Sequence, residues 1–273
     1  MATIPLKVQT RISDGLKRFQ PIVESAKIRD VNESDTVVLL TGLLSEVLGY
    51  DKYTDITTEL AIRGTFCDLA LKIDGKLTIL LEAKAIGIDL KEPHVKQAVD
   101  YAANKGIEWV ILTNAVTWRV YKILFTKPIQ NILVLEFDLL QIKNKSAQGI
   151  ELLYNLTKEG VSKNSLDDFF FQKQAKNKFM IGNILYSESV LNAVRKELKI
   201  IFPDIKVSNE EIHEVLTTGV VKREIIEGEE SDEAKKKILK ASKKKDRVVK
   251  LKMEVSPEHS FSQEPIDLPA QEN

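Results

Sequence analysis

Apolar residues between positions 5 and 30 recur at helical spacing: Val8, Ile12, Leu16 and Phe19, joined by Ile22 and Val23. They predict an N-terminal helix interrupted near Pro21, whose missing N–H and bulky ring break a helix interior. A second stripe, Val37, Leu40, Leu44, Val47 and Leu48, predicts a helix capped by Asn32 or Ser34 and stopped by Gly49. From Asp55 the period shortens to two. Segments 57–62, 67–73 and 76–84 read as strands, with Asp74-Gly75 marking a turn between the last two. Pro93 opens a helix carried by Val95, Ala98, Val99 and Ala102 and ended by Gly106. Strands follow over 109–113 and 118–123, with a sixth over 132–137.

Beyond about residue 145 the pattern is helical: 150–156, 166–176, 185–202, and a helix opened by Ser208 with Glu211 three residues on, a capping box. After Glu227 lysine and glutamate dominate, with runs Lys235 to Lys237 and Lys243 to Lys245 before a Pro-, Ser-, Glu- and Gln-rich end. The expected organisation is a helical segment over 1–30, an α/β domain over 31–145, a helical accessory domain over 146–227 and a solvated or disordered tail over 228–273.

Of the 273 residues 43% are apolar, enough for a substantial core. No stretch is apolar enough to span a bilayer, so no membrane association is expected. The single cysteine, Cys67, excludes a disulfide framework, and three scattered histidines argue against a histidine metal cluster, which points to a reducing, cytoplasmic setting. Lys plus Arg equals Asp plus Glu at 40 each, so nucleic-acid binding has to come from a local groove rather than an overall field. No GxxxxGK[ST] loop is present, and no ATP-driven motor is predicted.

Candidate chemistry lies in the hairpin. Glu82 and Lys84, two apart on a strand, share a face, and a carboxylate at the end of the apolar run Leu77, Ile79, Leu80, Leu81 is costly unless paired or ligating. Asp68 on the neighbouring strand is the second carboxylate. A two-residue loop, Asp74-Gly75, makes facing residue numbers sum to 149 and sets Asp68 opposite Leu81, away from Glu82. A three-residue loop, Ile73-Asp74-Gly75 with Gly75 left-handed, makes the sum 148. It groups Asp68 with Thr78, Leu80, Glu82 and Lys84, and leaves Leu69, Leu71, Ile73, Ile79, Leu81 and Ala83 as a core face. The burial pattern favours the three-residue loop. Two carboxylates and retained waters suit Mg²⁺, with Mn²⁺ as a substitute, and that arrangement fits phosphodiester hydrolysis.

Three runs, Gly64-Thr65-Phe66-Cys67-Asp68, Leu80-Leu81-Glu82-Ala83-Lys84 and Gln97-Ala98-Val99-Asp100-Tyr101, together resemble the N-terminal nuclease domain of type I restriction enzyme R subunits, within the PD-(D/E)XK superfamily. The resemblance covers approximately residues 33–125 and rests on the joint occurrence of a D-x13-ExK spacing and a following QxxxY helix. It implies a restriction-endonuclease-like α/β core and a DNA substrate, with RNA not excluded. It implies that Asp68 and Glu82 ligate metal with the carbonyl of Ala83, and that Lys84 is the catalytic lysine. It implies also that Gln97 and Tyr101 support the site, and that Glu46, in Leu43-Leu44-Ser45-Glu46-Val47-Leu48-Gly49, completes it from the first helix.

Plainer roles stand beside these: a surface ion pair for the hairpin carboxylates and Lys84, packing for Tyr101 and a solvated helix flank for Glu46. Trp118 and Tyr121 read better as sheet packing than as stacking platforms, and His94 as a helix-start residue. The lysine runs read as a solvated face or a DNA arm. The alternative to a nuclease is a non-cleaving nucleic-acid-binding or regulatory module on the same fold. On either reading the helical domain is a candidate surface for a partner protein or a second copy.

Overall fold

The computed structural model describes residues 3–62 and 65–254, and these fall into two compact units divided between Lys173 and Gln174. Among the described residues no helix is long and apolar enough to cross a membrane.

The first unit opens with α1 (Leu6–Ile28), which runs through Pro21 without interruption. Its buried stripe, Val8, Ile12, Leu16, Phe19, Val23 and Ala26, continues past the proline, and packing on both sides outweighs the single lost backbone bond. Helix α2 (Glu33–Glu46) is capped by Asn32, whose side chain accepts the N–H of Asp35 at 2.9 Å. Six strands follow, interrupted by one helix: β1 (Ile56–Ile62), β2 (Thr65–Ile73), β3 (Lys76–Ala83), α3 (Glu92–Lys105), β4 (Trp109–Thr113), β5 (Thr117–Leu124) and β6 (Gln130–Asp138). They form one sheet in the order β1-β2-β3-β4-β5-β6. All neighbours are antiparallel except β3 and β4, the pair that α3 connects.

Each face of the sheet has its own core. On one, Leu69, Leu71, Ile79, Leu81, Ile111 and Trp118 pack with α1 and α2; on the other, Ala70, Leu80, Val110, Leu112 and Tyr121 pack with α3. Trp118 stacks on Phe137 and donates its Nε1–H to the Ala115 carbonyl, so it and the buried Tyr121 serve packing. His94 accepts the Lys91 N–H at the start of α3, the capping role.

The β2–β3 hairpin departs from the three-residue loop expected. Asp74 and Gly75 have φ of 50° and 76°, Ile73 faces Lys76, and the loop is the two-residue kind that needs both central residues left-handed. The register then shifts: Lys72 faces Leu77 but Leu71 faces Ile79, leaving Thr78 as an extra residue on β3. This bulge moves the sum of facing numbers from 149 to 150, so Leu81 faces Leu69 rather than Asp68. It also explains why Leu77 packs on the α3 side with Leu80 despite its odd number.

Helices α4 (Ala147–Tyr154), α5 (Lys158–Ser162) and most of α6 (Ser165–Ala175) belong to the first unit, not to an accessory domain beginning at 146. Leu153, Tyr154, Leu156, Val161, Leu166 and Phe170 are part of the α1/α2 core. Arg11 holds this layer, gripping Glu159 through both terminal nitrogens at 2.7 and 2.6 Å while donating to the carbonyls of Val47 and Leu48.

The second unit contains α7 (Lys178–Ile184), α8 (Glu188–Ile201), α9 (Asn209–Val215), α10 (Arg223–Ile226) and α11 (Glu229–Glu254). The helix expected over 185–202 begins only at Glu188, after a turn that closes α7. Ser208 and Glu211 form the expected capping box. The tail expected to be solvated or disordered from 228 is helical through Glu254 as α11, with residues 239–243 exposed to solvent; the part beyond 254 lies outside the described residues.

Candidate active site

Backbone pairing between β2 and β3 extends to Leu69 and Leu81, and the next residues on each strand are Asp68 and Glu82. There the Asp68 side chain takes over, its Oδ2 accepting the N–H of Ala83 at 2.7 Å. β3 stays joined to β4, with the Lys84 N–H donating to the Thr113 carbonyl at 2.9 Å. An extended residue directs its N–H and C=O to the same edge, so the Ala83 carbonyl also faces the side where Asp68 sits.

Alternation along β3 sets Glu82 on the face of Leu80, beneath α3. Glu82 is only 2% exposed. Its Oε1 accepts from Lys84 Nζ at 2.8 Å, and its Oε2, buried, has no hydrogen-bond partner among the described residues. The Lys84 ammonium lies also 3.6 Å from Oε2 of Glu33, the first residue of α2. The structure thus joins Asp68, Glu82, Ala83 and Lys84 in one cluster and adds Glu33.

Burial pushes the Glu82 carboxyl up to about 7, with the Lys84 ammonium opposing and the Asp68 charge adding to the rise. Burial likewise raises Asp68 against the stabilising Ala83 N–H and Lys84 charge. For Lys84 burial favours the neutral amine, but the hydrogen bond and charge of Glu82 prevail and hold its pKa above the ordinary lysine value. The neighbouring Cys67, whose thiol donates to the Leu69 and Leu81 carbonyls, is pushed up to about 12 by burial first and by Glu82 and Asp68 next. It is a poor nucleophile and a packing residue.

Gln97 and Tyr101 bond to each other, Nε2 to Oη at 3.0 Å, on the helix that covers the Glu82 face. Among the described residues neither bonds to Asp68, Glu82 or Lys84, and Tyr101 is buried in the core beneath α3. Glu46 is not at the site: it pairs with Arg18. Glu33 and Glu46 are the two ends of a 14-residue helix, roughly 20 Å apart at 1.5 Å per residue, so the end that meets Lys84 excludes the other.

Asn114 is a further contributor that sequence reasoning missed. Its Nδ2 donates to the carbonyls of Ile86 and Ile88, and its Oδ1 accepts from the N–H groups of Val116 and Thr117. It ties the chain leaving Lys84 to the β4–β5 turn, while the Ile86 N–H bonds to Val31 just before Glu33. The available signal was an asparagine between two strands, a residue that bonds backbone two positions on.

The donors that a cation would meet are all oxygens: two carboxylates, one with a buried unpartnered atom, and a carbonyl. That set fits Mg²⁺, which keeps waters and takes one or two carboxylates. Among the described residues no group of three or more His, Cys, Asp or Glu side chains is arranged to hold a metal ion. Compared with family models, curated protein sequences and solved structures, the chain finds no match.

Proposed function

We propose that this chain is a Mg²⁺-dependent nuclease of the PD-(D/E)XK kind, hydrolysing DNA phosphodiester bonds in a restriction-like role, with Asp68, Glu82 and Lys84 as its centre. The observation that carries the reading is Glu82 Oε2, an oxygen removed from water beside a second carboxylate and left without a donor. A buried carboxylate oxygen is expensive to leave unpaired, and a divalent cation is the partner that two adjacent carboxylates suit. The order α2-β1-β2-β3-α3-β4, with β3 and β4 parallel, agrees with the core that the sequence resemblance implies.

Asp68 and Glu82, with the Ala83 carbonyl, would hold the ion; Mn²⁺ has compatible chemistry. The chemistry that a bound Mg²⁺ supplies is acidity lent to water and neutralisation of charge developing on the phosphate. Lys84, fixed by Glu82 and Glu33, presents its ammonium where it can orient the attacking water and stabilise the added negative charge. Asp68 fixes the Ala83 peptide and so the direction of both Glu82 and Lys84. Asn114 and the Val31–Ile86 bond hold the outgoing chain, which limits the loss of that alignment.

Incubation of supercoiled plasmid with the purified chain, with and without Mg²⁺, tests the reading beside Asp68→Ala and Lys84→Ala. Cleavage should require the cation and no ATP, and should vanish in both variants. An intact wild-type fold that nicks neither DNA nor RNA under these conditions would leave the non-cleaving module as the better description.

A further inference from the structure

We infer that the outer face of α11 is a second, independent binding surface for the phosphate backbone of a nucleic acid. Helix α11 is anchored by its first turns. Ser231 and Ala234 are buried, Ile238 is half-buried, and Ser231 bonds to Asn183 of α7 at 3.0 Å. These three positions, spaced i, i+3 and i+7, define the packed side of the helix.

On the opposite side Lys236, Lys240 and Lys243 are exposed at i, i+4 and i+7. The sequence continues the same spacing at Arg247 and Lys250, within a helix that runs to Glu254. Lys235 is already committed, donating to the Ile226 carbonyl at 2.7 Å, and Lys237 approaches Gln174. Among the described residues no carboxylate pairs with Lys236, Lys240 or Lys243. Lys236 has Asp232 and Glu233 one turn before it. The neighbours of Lys240 three and four residues away on either side, Lys236, Lys237, Lys243 and Lys244, are all lysines, and like charges at that spacing repel until an anionic partner neutralises them.

The partner is a polyphosphate rather than a lipid surface because of how the helix is amphipathic. A helix lying on a bilayer needs its apolar face free to enter the lipid. Here that face, at Ser231, Ala234 and Ile238, lies against its own unit, and the free face is cationic. A regular row of ammonium groups at helical pitch matches a row of phosphates, and it specifies no base. With 40 acidic residues balancing 40 basic ones, this concentration of charge marks a local footprint rather than a chain-wide bias.

Anisotropy of labelled DNA and RNA duplexes of one sequence, titrated with the full chain in EDTA, tests this. EDTA removes the cation that the proposed cleavage needs, so failure of the nuclease reading does not affect the outcome. The three described cations on phosphates give a slope of log K on log salt of about −2.7, hence about 40-fold weaker binding between about 50 and about 200 mM salt. The full-length triple variant Lys236→Gln, Lys240→Gln, Lys243→Gln should lower the magnitude of that slope by about 2.7, and the matching triple arginine variant should keep it. Glutamine and arginine form helices about as well as lysine, so all three proteins should give the same circular dichroism. The inference is overturned if the wild type binds neither duplex, if its binding is insensitive to salt, if the glutamine variant binds as wild type does, or if phosphatidylserine vesicles bind the chain while both duplexes do not.

Discussion

The Asp68 carboxylate accepts the backbone N–H of Ala83 at 2.7 Å, one step past the last backbone pair of their two strands, Leu69 and Leu81. A side chain has replaced a carbonyl in the ladder, which opens the strands at the point where Glu82 and Lys84 emerge. The arrangement depends on the register shift at Thr78, because without the shift from 149 to 150 Leu81 would face Asp68.

Thr78 as the extra residue leads to an unusual expectation for a deletion in a central strand. Removing it leaves Lys72 facing Leu77 and Leu71 facing Ile79, with alternation intact and Asp68 still beside Glu82. The deletion should cost no more than about 1 kcal/mol, as loss of a bulge rather than loss of register. Urea denaturation measures the cost. Collapse of the fold, as a one-residue slip of the whole strand demands, would show that the bulge is misplaced.

Asn114 satisfies four backbone groups from a largely buried position. Asn114→Ala should therefore destabilise the first unit by roughly 2–4 kcal/mol, several buried groups losing their partners at once. Asn114→Asp keeps the acceptor half but turns a carboxylate oxygen toward the Ile86 and Ile88 carbonyls, so it should not recover the loss at neutral pH. Equal stability of the alanine variant and wild type in chemical denaturation would contradict the bracing role.

Much of this architecture was legible from periodicity. The strands at 109–113 and 118–123, the Pro93 and Gly106 bounds of α3 and the Ser208 capping box come from short-range rules, and the structure places them within a residue or so. Clustering of Asp68, Glu82 and Lys84 was also anticipated, though through the wrong loop. Parity along a strand predicts faces only up to the first bulge, and no local signal marks Thr78 as one. The assignment of Glu46 failed for a different reason: it and Glu33 are the end glutamates of one helix, and which end meets Lys84 is set by how that helix lies on the sheet. The expected boundary near 146 failed because helical period does not reveal whether a helix packs on the preceding sheet or on its successors.

The Arg11–Glu159 pair supplies a pH dependence remote from the site. The guanidinium beside Glu159 holds its carboxyl below the ordinary value of 4.5. A carboxyl with a lowered folded-state pKa binds its proton more readily in the unfolded chain. Its contribution is thus complete above 4.5 and is lost as pH falls through the depressed value. Both side chains are partly exposed, at 24% and 36%, so screening limits the contribution to about 1 kcal/mol. Glu159→Gln should be less stable than wild type near neutral pH, and the gap should close in acid. A gap that persists unchanged in acid would assign the stabilisation to shape rather than charge.

The strongest discrimination between a working centre and an inert ion cluster comes from cation-dependent stability. Burial is the first cause that raises both Asp68 and Glu82, and the single Lys84 ammonium, which also faces Glu33, does not offset it. A cation binding only the folded state stabilises it by about 2.7 kcal/mol at a hundredfold excess over Kd, so the wild-type Tm should climb with Mg²⁺. Asp68→Asn retains an oxygen that can accept the Ala83 N–H while removing one charge. The cation-free variant should melt no lower than wild type and should lose most of the Mg²⁺ response. Lys84→Ala should keep that response, since an ammonium is not a ligand, yet fail to cleave. Its removal leaves Glu82 without its only hydrogen-bond donor among the described residues, so the cation-free protein should melt lower and recover part of the difference in Mg²⁺. Calorimetry of the three proteins across millimolar Mg²⁺ reads all of these at once, and flat curves for every one would remove the basis for assigning a metal to Asp68 and Glu82.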